Sequence, residues 1–449
     1  MPRMTSHAPA RSVHHPTAED EVVGICQDLL RIDTSNYGDG RGPGERAAAE
    51  YVMGALTEVG LEPELFESAP GRANVVVRLP GADAARPALV LHGHLDVVPA
   101  AAEDWSVDPF AGEERDGLLW GRGAVDMKDM DAMILSVVRQ MAREGRRPAR
   151  DVVVAMFADE EAGGRFGAGW AVEHRPELFE GATEAISEVG GFSVDVGGHR
   201  TYLLQTAEKG IGWLRLVAEG RAGHGSQVNT ENAVTELAAA VARIGTYSWP
   251  QQLTPTVRAL LDGVAELTGL PFDPEDEDGV GRLVDALGPA ARFVGATVRN
   301  TANPTQLAAG YKANVIPGRA EAVLDTRFLP GHEDEARATL ERLAGEHVRL
   351  EDIHRDVALE APFGGDLVDA MVAALHQEDP EATVLPYMLS GGTDNKSLSR
   401  LGITGYGFAP LRLPGSLDFS AMFHGVDERV PVDALRFGTR VLDRLLETC

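Results

Sequence analysis

Pro87-Ala-Leu-Val-Leu-His-Gly-His-Leu-Asp-Val-Val-Pro99 is the stretch on which the reading of this chain turns. Ala88 to Leu91 is a short apolar run with branched residues, the pattern of a strand buried on both faces. Polar residues arrive only at its end, and they arrive at period two. Alternate side chains of a strand point to opposite faces, so His92, His94 and Asp96 share one face and Leu91, Gly93 and Leu95 the other. In open α/β sheets ligands bind at the carboxyl ends of the strands. His94 is therefore a candidate metal ligand, with Asp96 a carboxylate able to hold its ring. A strand end with chance polar residues is the bland alternative, and the rest of the chain decides between them.

Outward from this stretch, residues 20–32 and 45–59 carry helical periodicity, and 74–79 reads as a strand closed by Pro80-Gly81-Ala82-Asp83. Residues 127–144 read as a helix and 151–158 as another fully buried strand. Strands alternating with helices predict an α/β unit with a mainly parallel sheet. The character changes near Thr206. Residues 212–219 alternate, with Trp213, Arg215 and Val217 against Leu214, Leu216 and Ala218, and 321–328 and 348–354 do the same. Helices are expected over 232–244 and 333–343. Alternation predicts an antiparallel sheet with one wet face. Residues 250–300 read as a Pro-bounded, mixed helical insertion with the acidic run Asp273-Pro-Glu-Asp-Glu-Asp-Gly279. After Pro362 the α/β style returns, with a helix at 367–377, a strand at 383–385 and a helix at 432–448. The fold class is thus α/β: a doubly wound, mainly parallel sheet (20–206 and 361–449) interrupted by an inserted α+β domain (207–360), after a disordered lead-in (1–19).

The bulk numbers exclude more than they assign. A net charge of -28 leaves nothing to neutralise a phosphate backbone, so no nucleic-acid partner is expected. Cys26 and Cys449 lie near opposite ends and in no metal-type spacing, which argues against a disulfide framework and for a reducing compartment. The polar first twenty residues do not read as a secretory signal, and no later run reads as a membrane span. The cytoplasm is the expected setting. Lysine is confined to Lys128, Lys209, Lys312 and Lys396, so arginine carries the positive charge.

Downstream, Trp120-Gly-Arg-Gly-Ala-Val-Asp-Met-Lys places Asp126 in a Gly-rich turn before a helix, where an N-capping Asp is the ordinary explanation. The buried strand that ends at Ala158 runs into Asp159-Glu160-Glu161. Three carboxylates at the end of an apolar strand repel one another and resist burial unless a cation compensates; a solvated acidic loop is the alternative. Glu188 follows a second apolar lead and precedes Gly190-Gly191, and His424 sits in a Gly-containing loop near the C-terminus.

In this order, His94-x-Asp96, Asp126, Glu160-Glu161, Glu188 and His424 resemble the M20 family of co-catalytic zinc peptidases and amidohydrolases. The match covers nearly the whole chain and no ligand position is lost. The resemblance implies that Asp126 bridges two Zn2+ ions, with Co2+ or Mn2+ able to substitute. His94 and Glu188 would complete one ion's protein ligands, and Glu161 and His424 the other's. Three metal-binding carboxylates and a bridging hydroxide then balance the four positive charges. Asp96 would hydrogen-bond the free nitrogen of His94, and Glu160 would be the base that serves the metal-bound water. Arg221-Ala-Gly-His-Gly-Ser226 resembles the family's loop whose histidine, here His224, reaches a partner subunit's site and donates to an oxyanion. Asn314 and Arg327 resemble the clamp on the substrate carboxylate. Ser390-Gly-Gly-Thr-Asp394 resembles the loop that embraces substrate, through Gly391, Gly392 and Thr393.

The resemblance makes the inserted module a lid and dimerisation domain and implies a homodimer, with a monomer whose enlarged lid replaces the partner as the alternative. Its implied reaction is hydrolysis of an amide or peptide bond to release an amino acid with a free α-carboxylate. The substrate would be an N-acyl amino acid or a short peptide. Family members that act on carbamoyl amino acids tend to carry His where Glu188 stands, which disfavours that branch. A biosynthetic deacylase of the acetylornithine or succinyl-diaminopimelate type, and a metal-binding homologue without turnover, are the competing readings. The remaining histidines read as packing or surface residues, and His92, on the ligand face of the key strand, as a packing residue or one that supports a ligand.

Overall fold

The computed structural model describes residues 15–449; the lead-in read over 1–19 falls mostly on residues 1–14, outside the described residues. The chain enters through α1 (Ala18–Leu30), whose first turn is closed by a reciprocal box between Thr17 and Asp20, and continues into α2 (Arg46–Glu58). Strands β1 (Glu64–Ala69), β2 (Arg72–Leu79) and β3 (Ala88–His94) follow. Helix α3 (Lys128–Glu144) links β3 to β4 (Val152–Phe157). Next come β5 (Ala182–Ser187), β6 (Phe192–Val196) and β7 (His199–Glu208). Every residue of β3 is buried, as a continuous apolar run at the centre of a sheet requires.

A second sheet begins one residue after β7, with β8 (Gly210–Glu219). Helices α4 (Ala233–Gly245), α5 (Pro255–Thr268) and α6 (Glu277–Asp285) come next. Then follow β9 (Thr301–Ala309), β10 (Arg319–Phe328), α7 (Glu333–Ala344) and β11 (Val348–Arg355). The chain returns through the short β12 (Leu359–Glu360), α8 (Asp366–Glu378), β13 (Thr383–Leu389) and β14 (Thr404–Gly407), and ends with α9 (Val432–Thr448).

The large sheet runs β1-β2-β4-β3-β5-β14-β7-β12, with β13 and β6 also paired to β7. Its centre is parallel: β3 pairs with β4 and β5, β5 with β14, and β13 with β7. Antiparallel pairs lie toward the rims, and a short one joins β14 to β7 inside the sheet. The small sheet, β9-β10-β8-β11, is antiparallel throughout. The alternation read from 212–219 is what its faces use. Leu214, Leu216 and Ala218 of β8 join Ala320, Ala322 and Leu324 of β10 under Leu237 and Leu340 of α4 and α7. The opposite face is mixed, with Ile211 and Trp213 beside Arg215, Asp325 and Arg327.

Residues 250–300 behave differently from the rest of the inserted span. Val257, Leu260, Leu261 and Val264 of α5, with Leu283 of α6, pack in the same cluster as Leu203 and Tyr387 of the large sheet. This segment caps the large sheet rather than extending the small one. Three of the four lysines are buried, and each donates to backbone carbonyls: Lys128 to Leu29 and Ile32, Lys209 to Ala296 and Arg299, Lys396 to Lys209 and Val357. The last two tie together segments at which the chain passes from one sheet to the other.

Candidate metal centre

Parallel neighbours end on the same edge of a sheet, and β3, β4 and β5 are parallel neighbours. The residues at or just past their carboxyl ends therefore converge: His94 ends β3, Glu160 and Glu161 follow β4, and Glu188 follows β5. His94 Nε2 lies 3.6 Å from Glu188 and 3.9 Å from Glu160. Asp126 arrives from the turn before α3. One of its oxygens is 3.1 Å from His94 Nε2 and the other 3.3 Å from His424 Nε2. His424 Nε2 is also 3.0 Å from Glu161. Donor atoms of His94, Asp126 and Glu161 lie within 4.8 Å of one another, as do those of His94, Glu160 and Glu188. Imidazole and carboxylate donors at this spacing suit a borderline divalent ion such as zinc.

The backbone is bent to bring these groups in. Asp159, Val189 and His424 have φ of 68°, 54° and 56°, a region that side chains with a Cβ rarely enter. Each is at a candidate ligand or next to one, and such outliers persist where the surrounding structure over-determines them.

The crowded acids and imidazoles shift one another's proton affinities. Burial pushes Glu188 up to about 7, and burial with the charge of Glu188 pushes Glu160 well above the usual carboxylate range. Asp126 is held low in spite of burial, by its bonds to the two imidazoles. His424 is pushed up to about 10 by its bonds to Asp126 and Glu161. For His94, burial opposes protonation, and Glu188, Asp126 and Asp96 outweigh it. The pocket thus favours positive charge at the point where the donors meet.

Asp96 holds the ring differently from the expectation. His94 Nδ1 meets the backbone carbonyl oxygen of Asp96 at 2.9 Å, and the carboxylate is 3.6 Å away. That carboxylate is committed elsewhere: it accepts from the backbone N–H groups of Glu160 (3.0 Å) and Glu161 (3.1 Å) and from Asn36 (2.9 Å). It sets the loop that carries two of the acids.

A cavity of about 300 Å3 opens from Glu160, Glu161 and His424 toward the face of the small sheet turned away from α4 and α7, where Arg327 lines it together with Gly391, Gly392 and Thr393. Asp325 holds the Nε and Nη2 edge of Arg327 at 2.6 and 2.9 Å. A Cβ at Gly392 would lie 2.2 Å from Lys396 Cε, so a side chain here would displace the buried lysine. Thr393 gives both its N–H and its hydroxyl to Glu208, so it shapes the loop rather than presenting a free donor. His224 and Asn314 are not brought to this cavity. They sit on an exposed two-stranded ribbon in which Gly223–His224 pairs with Val315–Ile316.

Supporting residues escaped the sequence reading. Buried Glu428 accepts from Gly123 N–H, Val125 N–H and Arg122, and so fixes the turn that presents Asp126. His92, read as a packing or ligand-supporting residue, is buried against Phe157 and bonds Asn395 at 2.9 Å, a partner the sequence did not name. Both partnerships span some three hundred residues, and no local pattern announces them.

Residues 90–448 match the model of peptidase family M20/M25/M40. Aminoacylase-1 of Pongo abelii is 27% identical over 446 residues, 96% of each chain. Among solved structures, an M20 family metallo-carboxypeptidase of Sulfolobus solfataricus superposes with a TM-score of 0.72 at 17% identity, over 96% of this chain and 99% of that one. A Bacillus subtilis protein described as a dinuclear metal-binding peptidase of the same family gives 0.60 at 14% identity, over 96% and 99%. With the matched segment running from the strand that ends in His94 to the last helix, the chain belongs to peptidase family M20/M25/M40, whose members are hydrolases of amide bonds.

Proposed function

We propose that this protein releases an amino acid with a free α-carboxylate from an N-acyl amino acid or a short peptide, using two zinc ions. The observation that carries the reading is Asp126, whose two carboxylate oxygens face different imidazoles, His94 at 3.1 Å and His424 at 3.3 Å. One carboxylate shared in this way fits a pair of ions. His94 and Glu188 would hold one, Glu161 and His424 the other. Divalent ions bound there would lower the pKa of a water toward about 7 and polarise a carbonyl. Glu160 lies at the cavity wall, and its raised proton affinity suits a group that accepts a proton and returns it to the departing nitrogen. Arg327, with Nη1 free of protein partners among the described residues, is placed to take the carboxylate. The free, buried cysteines accord with a cytoplasmic setting.

The test is a panel of N-acetyl amino acids, long-chain N-acyl amino acids and dipeptides, with and without chelator, for the wild type and Glu160→Gln. Chelator-sensitive hydrolysis is expected. Glu160→Gln should keep its metal content and lose about 10²- to 10⁴-fold in kcat. A metal-loaded wild type that hydrolyses no member would be a binding protein instead.

We further propose that the protein works as a homodimer in which His224 serves the partner's site. His224 is exposed, bonded to Ser226 at 2.8 Å and remote from its own cavity, while Val228, Leu307 and Tyr311 expose apolar side chains on the same small-sheet region. Mixing Glu160→Gln with His224→Ala, each nearly inactive alone, should restore up to about a quarter of the activity through hybrid dimers. Strictly additive residual rates would place His224 outside catalysis.

A further inference from the structure

The small sheet presents a face to the metal centre that its own packing does not explain. Its apolar residues lie on the other side, under α4 and α7. Trp213 belongs to no buried cluster, is 38% exposed and is the most exposed of the five tryptophans. Its one ring partner among the described residues is His354, at 5.2 Å on the neighbouring strand. Among the described residues, Trp213 and Ile211 are the only apolar side chains that line the cavity; the others are charged, polar or glycine. A large apolar ring left facing a polar cavity costs hydration free energy in the empty protein and is recovered when a ligand covers it.

Register says which part of a substrate that is. On β8 and β10 Ile211 stands opposite Arg327 and Trp213 opposite Asp325, all on one face. Arg327 and the residue facing Trp213 are two positions apart on one strand, about 7 Å. A carboxylate held by Arg327 would therefore bring the side chain of the same amino acid within reach of the Trp213 ring.

We infer that Trp213, backed by Ile211 and His354, reads the side chain of the released amino acid, and that the preferred substrates are amides of aromatic amino acids. This rests on the hydrolase reading and on Arg327 as the carboxylate partner. The experiment compares kcat/KM for N-acetyl-phenylalanine, N-acetyl-alanine and N-benzoyl-alanine in the wild type, Trp213→Ala and Trp213→Phe. A binding arm titrates free phenylalanine and alanine by calorimetry. The wild type should favour N-acetyl-phenylalanine over N-acetyl-alanine by about 10- to 100-fold. Trp213→Ala should bring that ratio toward one, chiefly by raising KM for the phenylalanine substrate, and Trp213→Phe should restore most of it. A ratio that survives in Trp213→Ala overturns the inference. So does a Trp213→Ala loss that follows benzoyl against acetyl, which would put the ring on the acyl side. Should nothing be hydrolysed, the hydrolase reading fails, and the binding arm still decides Trp213: phenylalanine must bind more tightly than alanine to the wild type and not to Trp213→Ala.

Discussion

The strands β3 and β8 solve the same problem, holding functional side chains against an apolar core, by opposite means. In β3 both faces are buried and the chemistry is deferred to the end, where His94 emerges. In β8 the chemistry lies along one face while the other is committed to packing, so Trp213 looks into the cavity and Leu214 and Leu216 into the core. An end-loaded strand can place very few groups, but it places them among parallel neighbours whose ends lie at the same edge. A face-loaded strand can vary one face without disturbing the other. Metal ligation needs the first, and discrimination among substrates is served by the second.

This contrast can be broken by matched truncations. Leu91 and Leu216 are both fully buried, and replacing either by Ala is expected to cost about 2–5 kcal/mol of stability. The consequences for catalysis should differ. Leu91 sits beside His92 and three residues before His94, so Leu91→Ala should also depress kcat/KM of the molecules that remain folded. Leu216→Ala should leave that value within about threefold, because the cavity it creates opens toward α4 and α7. Denaturant melts paired with rates measured well below the transition read both quantities. Equal activity losses in the two variants would mean that the faces of β8 are not independent.

The same contrast decides what the sequence discloses. Period-two polarity at the end of β3 and alternation along β8 and β10 are local patterns, and both are visible in the residues themselves. Order along the chain, with the family resemblance, was enough to gather His94, Asp126, Glu160, Glu161, Glu188 and His424. Partners chosen only through space were not visible. Glu428 beneath the Asp126 turn, Glu208 beneath Thr393 and Asn36 beside Asp96 are polar residues in unremarkable settings whose role appears only when the strands are assembled. Strand β9 escaped for another reason. It is an edge strand, exposed along most of its length and interrupted by Pro304, so it lacks both alternation and an apolar run. Residues 250–300, which contain α5 and α6, read only as a mixed helical insertion, and helical character does not say which core receives an apolar stripe. The scarcity of lysine did carry information. In a chain that uses arginine for its surface charge, three of four lysines are interior donors, where a compact ammonium reaches two carbonyls that a planar guanidinium would match poorly.

Asp96 tests the end-loaded arrangement most finely, because it acts on the ends of two strands at once. Its backbone oxygen meets His94 at the end of β3, and its carboxylate gathers the N–H groups of Glu160 and Glu161 beyond β4. In Asp96→Asn the backbone contact persists, but an amide offers one acceptor oxygen where the carboxylate offers two, and its NH2 must then face a donor. One of the two acids should lose its anchor. Outer supports of this kind are typically worth about 10- to 100-fold in metal affinity. The activity lost by Asp96→Asn should therefore return at raised free metal concentration, whereas that lost by Glu160→Gln should not. Failure of added metal to rescue Asp96→Asn would show that the carboxylate acts on the reaction itself rather than on the loop that presents Glu160 and Glu161.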